Sequence, residues 1–145
     1  MVTIGNVREI LLHGSSDESF DSSVGMARRL AESFGAHLHV VYTIDEPLSA
    51  GWTAEISAEK LPELHQAMEA EARERLAGLI PLEDQDRLGV QIALRTGTES
   101  EELVRYTDEH AIDLAIVQAR PSDSERADVA QALIDRGKCA VLVLR

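Results

Sequence analysis

Apolar residues in this chain form five short runs, and the segments between them carry apolar residues at helical spacing. The first run centres on Ile10, Leu11 and Leu12 and is continuous, as in a strand buried on both faces. The third run alternates, as is typical of a half-exposed strand at a sheet edge. Its apolar residues Val90, Ile92 and Leu94 are separated by Gln91, Ala93 and Arg95. The predicted strands are residues 7–13, 36–44, 90–95, 113–117 and 139–144.

The segments between these runs predict four helices. Their apolar residues recur at three and four positions, which gives each helix one apolar face. The expected inward positions are Val24, Ala27, Leu30, Ala31 and Phe34; Leu61, Leu64, Met68, Ala72, Leu76 and Leu79; Leu103, Val104 and Ala111; and Val129, Ala130, Leu133 and Ile134. Three pairs, Ser15 with Glu18, Thr98 with Glu101, and Ser122 with Glu125, have the spacing of capping boxes and predict helix starts.

Strands that alternate with single helices predict an α/β fold: one doubly wound domain over residues 1–145, with a five-stranded parallel sheet and helices on both faces. A length of 145 residues suits a single core. Only 3% of residues are aromatic, so the core must consist of Leu, Ile, Val and Ala, as in helices packed on a buried parallel sheet.

The charge balance limits the partners. Fourteen Lys and Arg against 26 Asp and Glu give a net charge of −12, which opposes binding to nucleic acid or anionic membranes. The single Cys139 cannot form an internal disulfide, and we expect a buried, inert thiol in a reducing cytoplasm. The first residues lack the pattern of a signal peptide and no window reaches the length of a membrane span, so we expect a soluble cytoplasmic protein.

In an open α/β sheet, ligands bind outside the carboxyl ends of the strands. The residues expected to line this crevice are His13, Gly14, Ser15, Thr43, Gln118 and Arg120. No nucleophile-elbow pattern surrounds Ser15 or Ser16, and no partner for His13 is identifiable, so no catalytic residue is predicted. His37 and His39 point to one face of a strand, but no third ligand is evident; a structural role is favoured, and neither a metal site nor a cofactor is predicted.

Several strings suggest a family: ILL at 10–12, LAESFGAHLH at 30–39, GTESEELVRY at 97–106, AIDL at 111–114 and CAVLV at 139–143. Together with the element order they resemble the universal stress protein family, whose members act in stress response or regulation. The resemblance spans nearly the whole chain and implies a similar role here.

Members of that family that bind nucleotide carry a glycine motif after the fourth strand: Gly, two residues, Gly, nine residues, Gly, then Ser or Thr. Here Gln118, Pro121, Ala127 and Asp128 occupy those places, and Ser15 stands where the binders have an Asp. The resemblance is therefore to the type that lacks ATP binding. Independently, the carboxylates of Asp123, Glu125 and Asp128 lie near a helix N-terminus, where they oppose a phosphate.

The last strand is apolar and predicted to end the chain at the sheet margin, and such an edge tends to find a partner. In the resembled family this strand pairs with its counterpart in a second subunit. A homodimer interface is thus expected at Val141, Leu142, Val143 and Leu144, although a heterodimer with a related chain stays open.

Two other functions also stay open. One is an adenine-nucleotide binder with a degenerate phosphate loop and weak hydrolysis, in which Arg120 and Arg126 replace the missing glycines. The other is an interaction module that docks on a transporter or kinase through residues 47–53 or the long acidic helix.

Overall fold

The computed structural model describes residues 6–15, 18–44, 54–119 and 128–145, and the side chains of the long helix from residue 62 onward. Strands and helices alternate along these residues. In chain order they are β1 (Glu9–His13), α1 (Ser19–Phe34), β2 (His37–Ile44), α2 (Ala54–Leu79), α3 (Leu82–Arg87), β3 (Gln91–Thr96), α4 (Glu99–Glu109), β4 (Leu114–Gln118), α5 (Val129–Arg136) and β5 (Ala140–Leu144).

The five strands form one parallel sheet in the order β3-β2-β1-β4-β5. This confirms the predicted fold class and places β3 and β5 at the edges. Leu11 of β1 lies opposite His39 of β2 on one side and Ala115 of β4 on the other. Because the strand order reverses at β1, the loops that leave β1 and β4 diverge and open a crevice at the carboxyl edge of the sheet.

Alternation along the strands divides the core into two layers. Ile10, Leu12, Leu38 and Val40 pack with residues of α1 and α2 on one face. Leu11, Val41, Ala115 and Val117 pack with residues of α4 and α5 on the other. β1 therefore has no solvent-facing side, and its polar residues lie only at its two ends.

The predicted capping boxes do not form as expected. α1 begins at Ser19 after Glu18, so the Ser15–Glu18 box is wrong; the Ser15 carbonyl instead accepts a hydrogen bond from Arg75. Thr98 does precede α4, but its side chain makes no capping bond. The Ser122–Glu125 box lies outside the described residues. α5 itself starts later, after Asp128, whose carboxylate accepts the Ala130 N–H at 3.0 Å.

Some expected core positions are also wrong. Ile134 is 60% exposed because α5 rests on the sheet through Val129, Ala130 and Leu133 alone. Ala111 lies beyond the end of α4 with a positive φ of 50°. α3 was not predicted, since its six residues bury no side chain and give no apolar pattern.

Burial raises the pKa of the half-buried Cys139 thiol, which lies just before β5.

Within the described ranges, every helix is too short or too polar to cross a bilayer.

Asp113 links the starts of the neighbouring strands β1 and β4. Its Oδ2 accepts the backbone N–H of Arg8 at 2.8 Å and that of Glu9 at 3.0 Å. The carboxylate thus satisfies donors at the entry to β1 from a position just before β4. Hydrogen bonds to a charged acceptor are among the stronger ones in proteins.

We expect Asp113→Ala to lower the free energy of unfolding by about 1–3 kcal/mol, because it leaves two backbone donors without their acceptor. Asp113→Asn keeps one acceptor oxygen and should lose less. Asp135→Ala is the control, since the exposed Asp135 pairs only with the Gln131 side chain on its own helix. Urea denaturation measures all three; equal losses for Asp113→Ala and Asp135→Ala would contradict this role.

Candidate functional site

A cleft of about 900 Å³ opens at the carboxyl edge of the sheet, between α1, α2 and the ends of β1, β2 and β4. Of the six residues expected to line a ligand crevice, His13, Gly14, Ser15, Thr43 and Gln118 all border it. Arg120 lies outside the described residues. The structure therefore brings five of the six residues to one cleft. Their role in ligand binding stays a prediction.

The base of the cleft is formed where Gly14 crosses Tyr42. The Gly14 N–H donates to the Val41 carbonyl at 2.7 Å, which holds the turn after β1 against β2. A Cβ atom at position 14 would lie 2.6 Å from the Tyr42 ring. Phe20 meets Tyr42 edge to face at 6.1 Å, and burial raises the pKa of the Tyr42 hydroxyl. Glycine at position 14 is thus required by the aromatic floor.

A polar wall of the cleft consists of His13, Thr43 and Glu99. The Glu99 Oε2 atom lies 3.2 Å from His13 Nε2 and accepts the Thr43 hydroxyl at 3.3 Å. His13 therefore has the carboxylate partner that the sequence did not reveal. The missed signal was topological: Glu99 begins α4 directly after β3, whose carboxyl end meets the same edge as β1 and β2.

The opposite wall comes from the start of α1. Gln118, at the end of β4, donates its side-chain N–H to Ser23 Oγ at 2.8 Å, while the Ser23 hydroxyl donates to the Ser19 carbonyl at 3.3 Å. These bonds fix the Gln118 amide at the cleft. Ser19 and Ser22 also border the cleft, so this wall offers hydroxyl and amide groups.

Arg75 of α2 brings a positive charge to the cleft. Its Nη2 lies 3.1 Å from Asp21, its Nη1 donates to the Ser15 carbonyl at 3.4 Å, and its guanidinium carbon sits 5.3 Å from the centre of the Phe20 ring. The acidic partner offsets part of this charge. Met26, Met68 and Leu94 add apolar surface. The cleft suits a small ligand with both polar and apolar parts.

A second polar cluster lies at the other end of the same strands. His37 and His39 do share a face, and both contact the Glu9 carboxylate, at 3.1 and 2.7 Å. His39 also contacts the Tyr106 hydroxyl at 2.7 Å. In the part of the chain that the structure describes, no three potential ligands converge to hold a metal ion.

Comparison with known proteins identifies the family. A model of the universal stress protein family matches residues 9–145. None of the curated proteins matches the chain.

Solved structures resemble it over almost the full length. The universal stress protein UspA from Lactobacillus plantarum is 21% identical with a TM-score of 0.71, covering 96% of this chain and 98% of that one. A universal stress protein in complex with cAMP is 18% identical with a TM-score of 0.62, covering 96% and 97%. A family member from Burkholderia pseudomallei is 25% identical with a TM-score of 0.61, covering 95% and 96%.

Gly14→Ala should destabilise the protein by about 1–3 kcal/mol, because the added methyl group overlaps the Tyr42 ring. Gly25→Ala is a matched control: a Cβ there meets nothing within 4 Å, and replacing a helical glycine by alanine should stabilise the protein by about 0.5–1 kcal/mol. Thermal unfolding distinguishes the two. A tolerated Gly14→Ala would mean that the turn and Tyr42 can separate freely.

Proposed function

Since this chain belongs to the universal stress protein family, we propose that it is a dimeric cytoplasmic stress-response or regulatory protein of the type that does not bind ATP. In this proposal the cleft at the carboxyl edge of the sheet takes a small ligand other than a nucleoside triphosphate. His13, Gly14, Ser15, Thr43, Gln118 and Arg120 are the proposed contacts. No residue of the cleft is assigned a catalytic role.

The observation that carries this proposal is the start of α5. A free helix N-terminus attracts phosphate through its unpaired N–H groups and its dipole. Here the Asp128 carboxylate accepts the Ala130 N–H at 3.0 Å and places a negative charge at that end. A triphosphate would have to displace this carboxylate and would be repelled by it. Asp128 stands where nucleotide binders of the family carry Ser or Thr.

The polar wall of the cleft also disfavours a triphosphate. Glu99 is held toward the cleft by His13 and Thr43, and Arg75 is matched in part by Asp21. The imidazole of His13 contacts the Glu99 carboxylate, and this contact orients the ring. These contacts favour recognition by hydrogen bonds over chemistry on a phosphate.

Adenine-nucleotide binding is the second candidate. One of the similar structures is a family member in complex with cAMP, whose single phosphate needs less neutralisation than a triphosphate. A cleft of about 900 Å³ is large enough for such a ligand.

The interaction-module alternative would use residues 47–53, which lie outside the described residues, or the acidic face of α2, where Glu63, Glu71 and Glu74 are exposed.

Calorimetry with ATP and with cAMP tests the ligand. We expect no micromolar binding of ATP by the wild type, and a several-fold gain in ATP affinity for Asp128→Ser, which removes the charge and keeps a capping hydroxyl. Asp135→Ser, a charge loss later in the same helix, should leave ATP affinity unchanged. Micromolar ATP binding by the wild type would refute the proposal, whereas micromolar cAMP binding alone would favour the second candidate.

The dimer should form along β5, because β4 is its only neighbour among the described strands. Its outer backbone groups are available for pairing with a second copy, and Val143 is 39% exposed beside them. Val141, Leu142 and Leu144 contribute the remaining apolar surface of this edge.

Val143→Lys should shift the protein toward monomer in analytical ultracentrifugation, because the charge would be buried in the interface. Leu82→Lys is the control. Leu82 is 69% exposed on α3, which directly precedes β3, and β3 lies at the opposite edge of the sheet from β5. A wild type that sediments as a monomer, or equal behaviour of both variants, would overturn the β5 interface.

A further inference from the structure

Helix α4 is attached to the sheet by a polar contact at each end. At its start, Glu99 contacts His13 and Thr43 beside the cleft. Near its end, Tyr106 contacts His39 of β2. The second contact is remote from the cleft, and neither Tyr106 nor His39 lines it.

At this far contact three groups form a continuous hydrogen-bonded chain. His39 Nε2 lies 2.7 Å from Glu9 Oε2, and His39 Nδ1 lies 2.7 Å from the Tyr106 hydroxyl. His39 is 4% exposed and Tyr106 is 1% exposed. Water therefore has little access to the bond between His39 and Tyr106, whereas the Glu9 side chain is 28% exposed.

The proton positions in this chain follow from Glu9. Burial acts to raise the pKa of Glu9, but the hydrogen bonds and positive charge of His39 and His37 outweigh it and hold that pKa below its usual value. The carboxylate is thus ionised at neutral pH and only accepts hydrogen bonds. An ionised Glu9 requires a proton on His39 Nε2; when the ring carries only that proton, Nδ1 accepts the Tyr106 hydroxyl.

A second proton on His39 reverses the bond to Tyr106. Nδ1 becomes a donor, and the hydroxyl must accept from it and direct its own hydrogen elsewhere. Within the described residues, His39 is the one hydrogen-bond partner of the Tyr106 hydroxyl. A buried donor that loses its acceptor carries a substantial desolvation cost, so the contact between α4 and the sheet weakens.

The other charged groups around His39 decide how strongly Glu9 offsets this cost. His37 is 60% exposed on its side chain and shares the same carboxylate through Oε1 at 3.1 Å, so it competes with His39 for the negative charge of Glu9. The Arg95 guanidinium lies 5.0 Å from the Tyr106 ring centre and disfavours more positive charge nearby.

The remaining neighbours are already engaged. Glu109 pairs with Arg95 at 2.8 Å, and His110 stacks on the Tyr106 ring at 4.0 Å. Asp113 accepts the backbone N–H groups of Arg8 and Glu9. Glu9 is therefore the anion in direct contact with His39, and His37 shares it.

We propose that the Glu9–His39–Tyr106 chain is a proton-sensitive latch, which holds the end of α4 on the sheet at neutral pH and releases it when His39 takes a second proton. Because the first residue of α4, Glu99, forms part of the cleft wall, the latch couples acidification to the shape of the cleft. This role is independent of which ligand the cleft binds.

Nitrogen-15 NMR of the histidine rings and amide hydrogen exchange test the latch between pH 7.5 and 5, the range in which histidine commonly titrates. At pH 7.5 we expect His39 as the neutral ring with its proton on Nε2. On acidification it should gain a proton, and the protection of the last α4 amides, corrected for intrinsic exchange, should fall by about fivefold or more. A proton on Nδ1 at pH 7.5, or unchanged protection, would overturn the proposal.

Three variants isolate the residue responsible. His39→Gln retains one donor and one acceptor but does not titrate, so α4 protection should become insensitive to pH. Tyr106→Phe removes the hydroxyl that protonation strands and should also abolish the pH response. Tyr42→Phe, at the only other tyrosine, should keep the wild-type response.

A pH response in His39→Gln as large as that of the wild type would assign the effect to His37, His110 or Glu9 and refute the latch. Should Tyr106→Phe fail to fold, His39→Gln and the wild type still decide the question.

Discussion

Burial of β1 on all sides is the constraint on which the rest of this structure depends. The strand lies between β2 and β4 and is covered by helices on both faces, so Ile10, Leu11 and Leu12 are fully buried. A polar side chain can occur only at its ends, where Glu9 and His13 stand. Each has a partner of opposite character: Glu9 contacts two histidines and His13 contacts Glu99. The central strand thereby confines the polar chemistry to two edges of the sheet.

The same constraint explains what the sequence could reveal. Continuous apolar runs predict the strands because a buried parallel sheet needs them, and the strand ends then predict the cleft, which five of the six expected residues border. The position of Glu99 at the cleft was not predicted, because it depends on how α4 is placed relative to β1 and β2. α3 escaped because it buries nothing, and Ile134 was misplaced because a short helix touches the sheet along a narrow stripe.

Helix starts were the least predictable feature, for a physical reason. A Ser or Thr three residues before Glu satisfies the spacing of a capping box, but the backbone must also be extended at the first of these residues. At Ser15 the chain is still leaving β1, where Arg75 binds its carbonyl. At Thr98 the backbone is extended, yet the side chain makes no cap. Asp128 has an extended backbone and its side chain does cap α5, although the local pattern favoured Ser122.

In the proposed function, Asp128 explains how a member of this family can keep the fold without binding ATP. The N–H groups at a helix start need an acceptor, and a bound phosphate can supply it only when present. A carboxylate fixed at the N-cap supplies it permanently, so α5 keeps its stability without a ligand. The same charge opposes a bound phosphate, so in the proposed function one side chain both caps α5 and disfavours a triphosphate. The proposed ligand would then be recognised by the hydroxyl, amide and carboxylate groups at the ends of β1, β2 and β4.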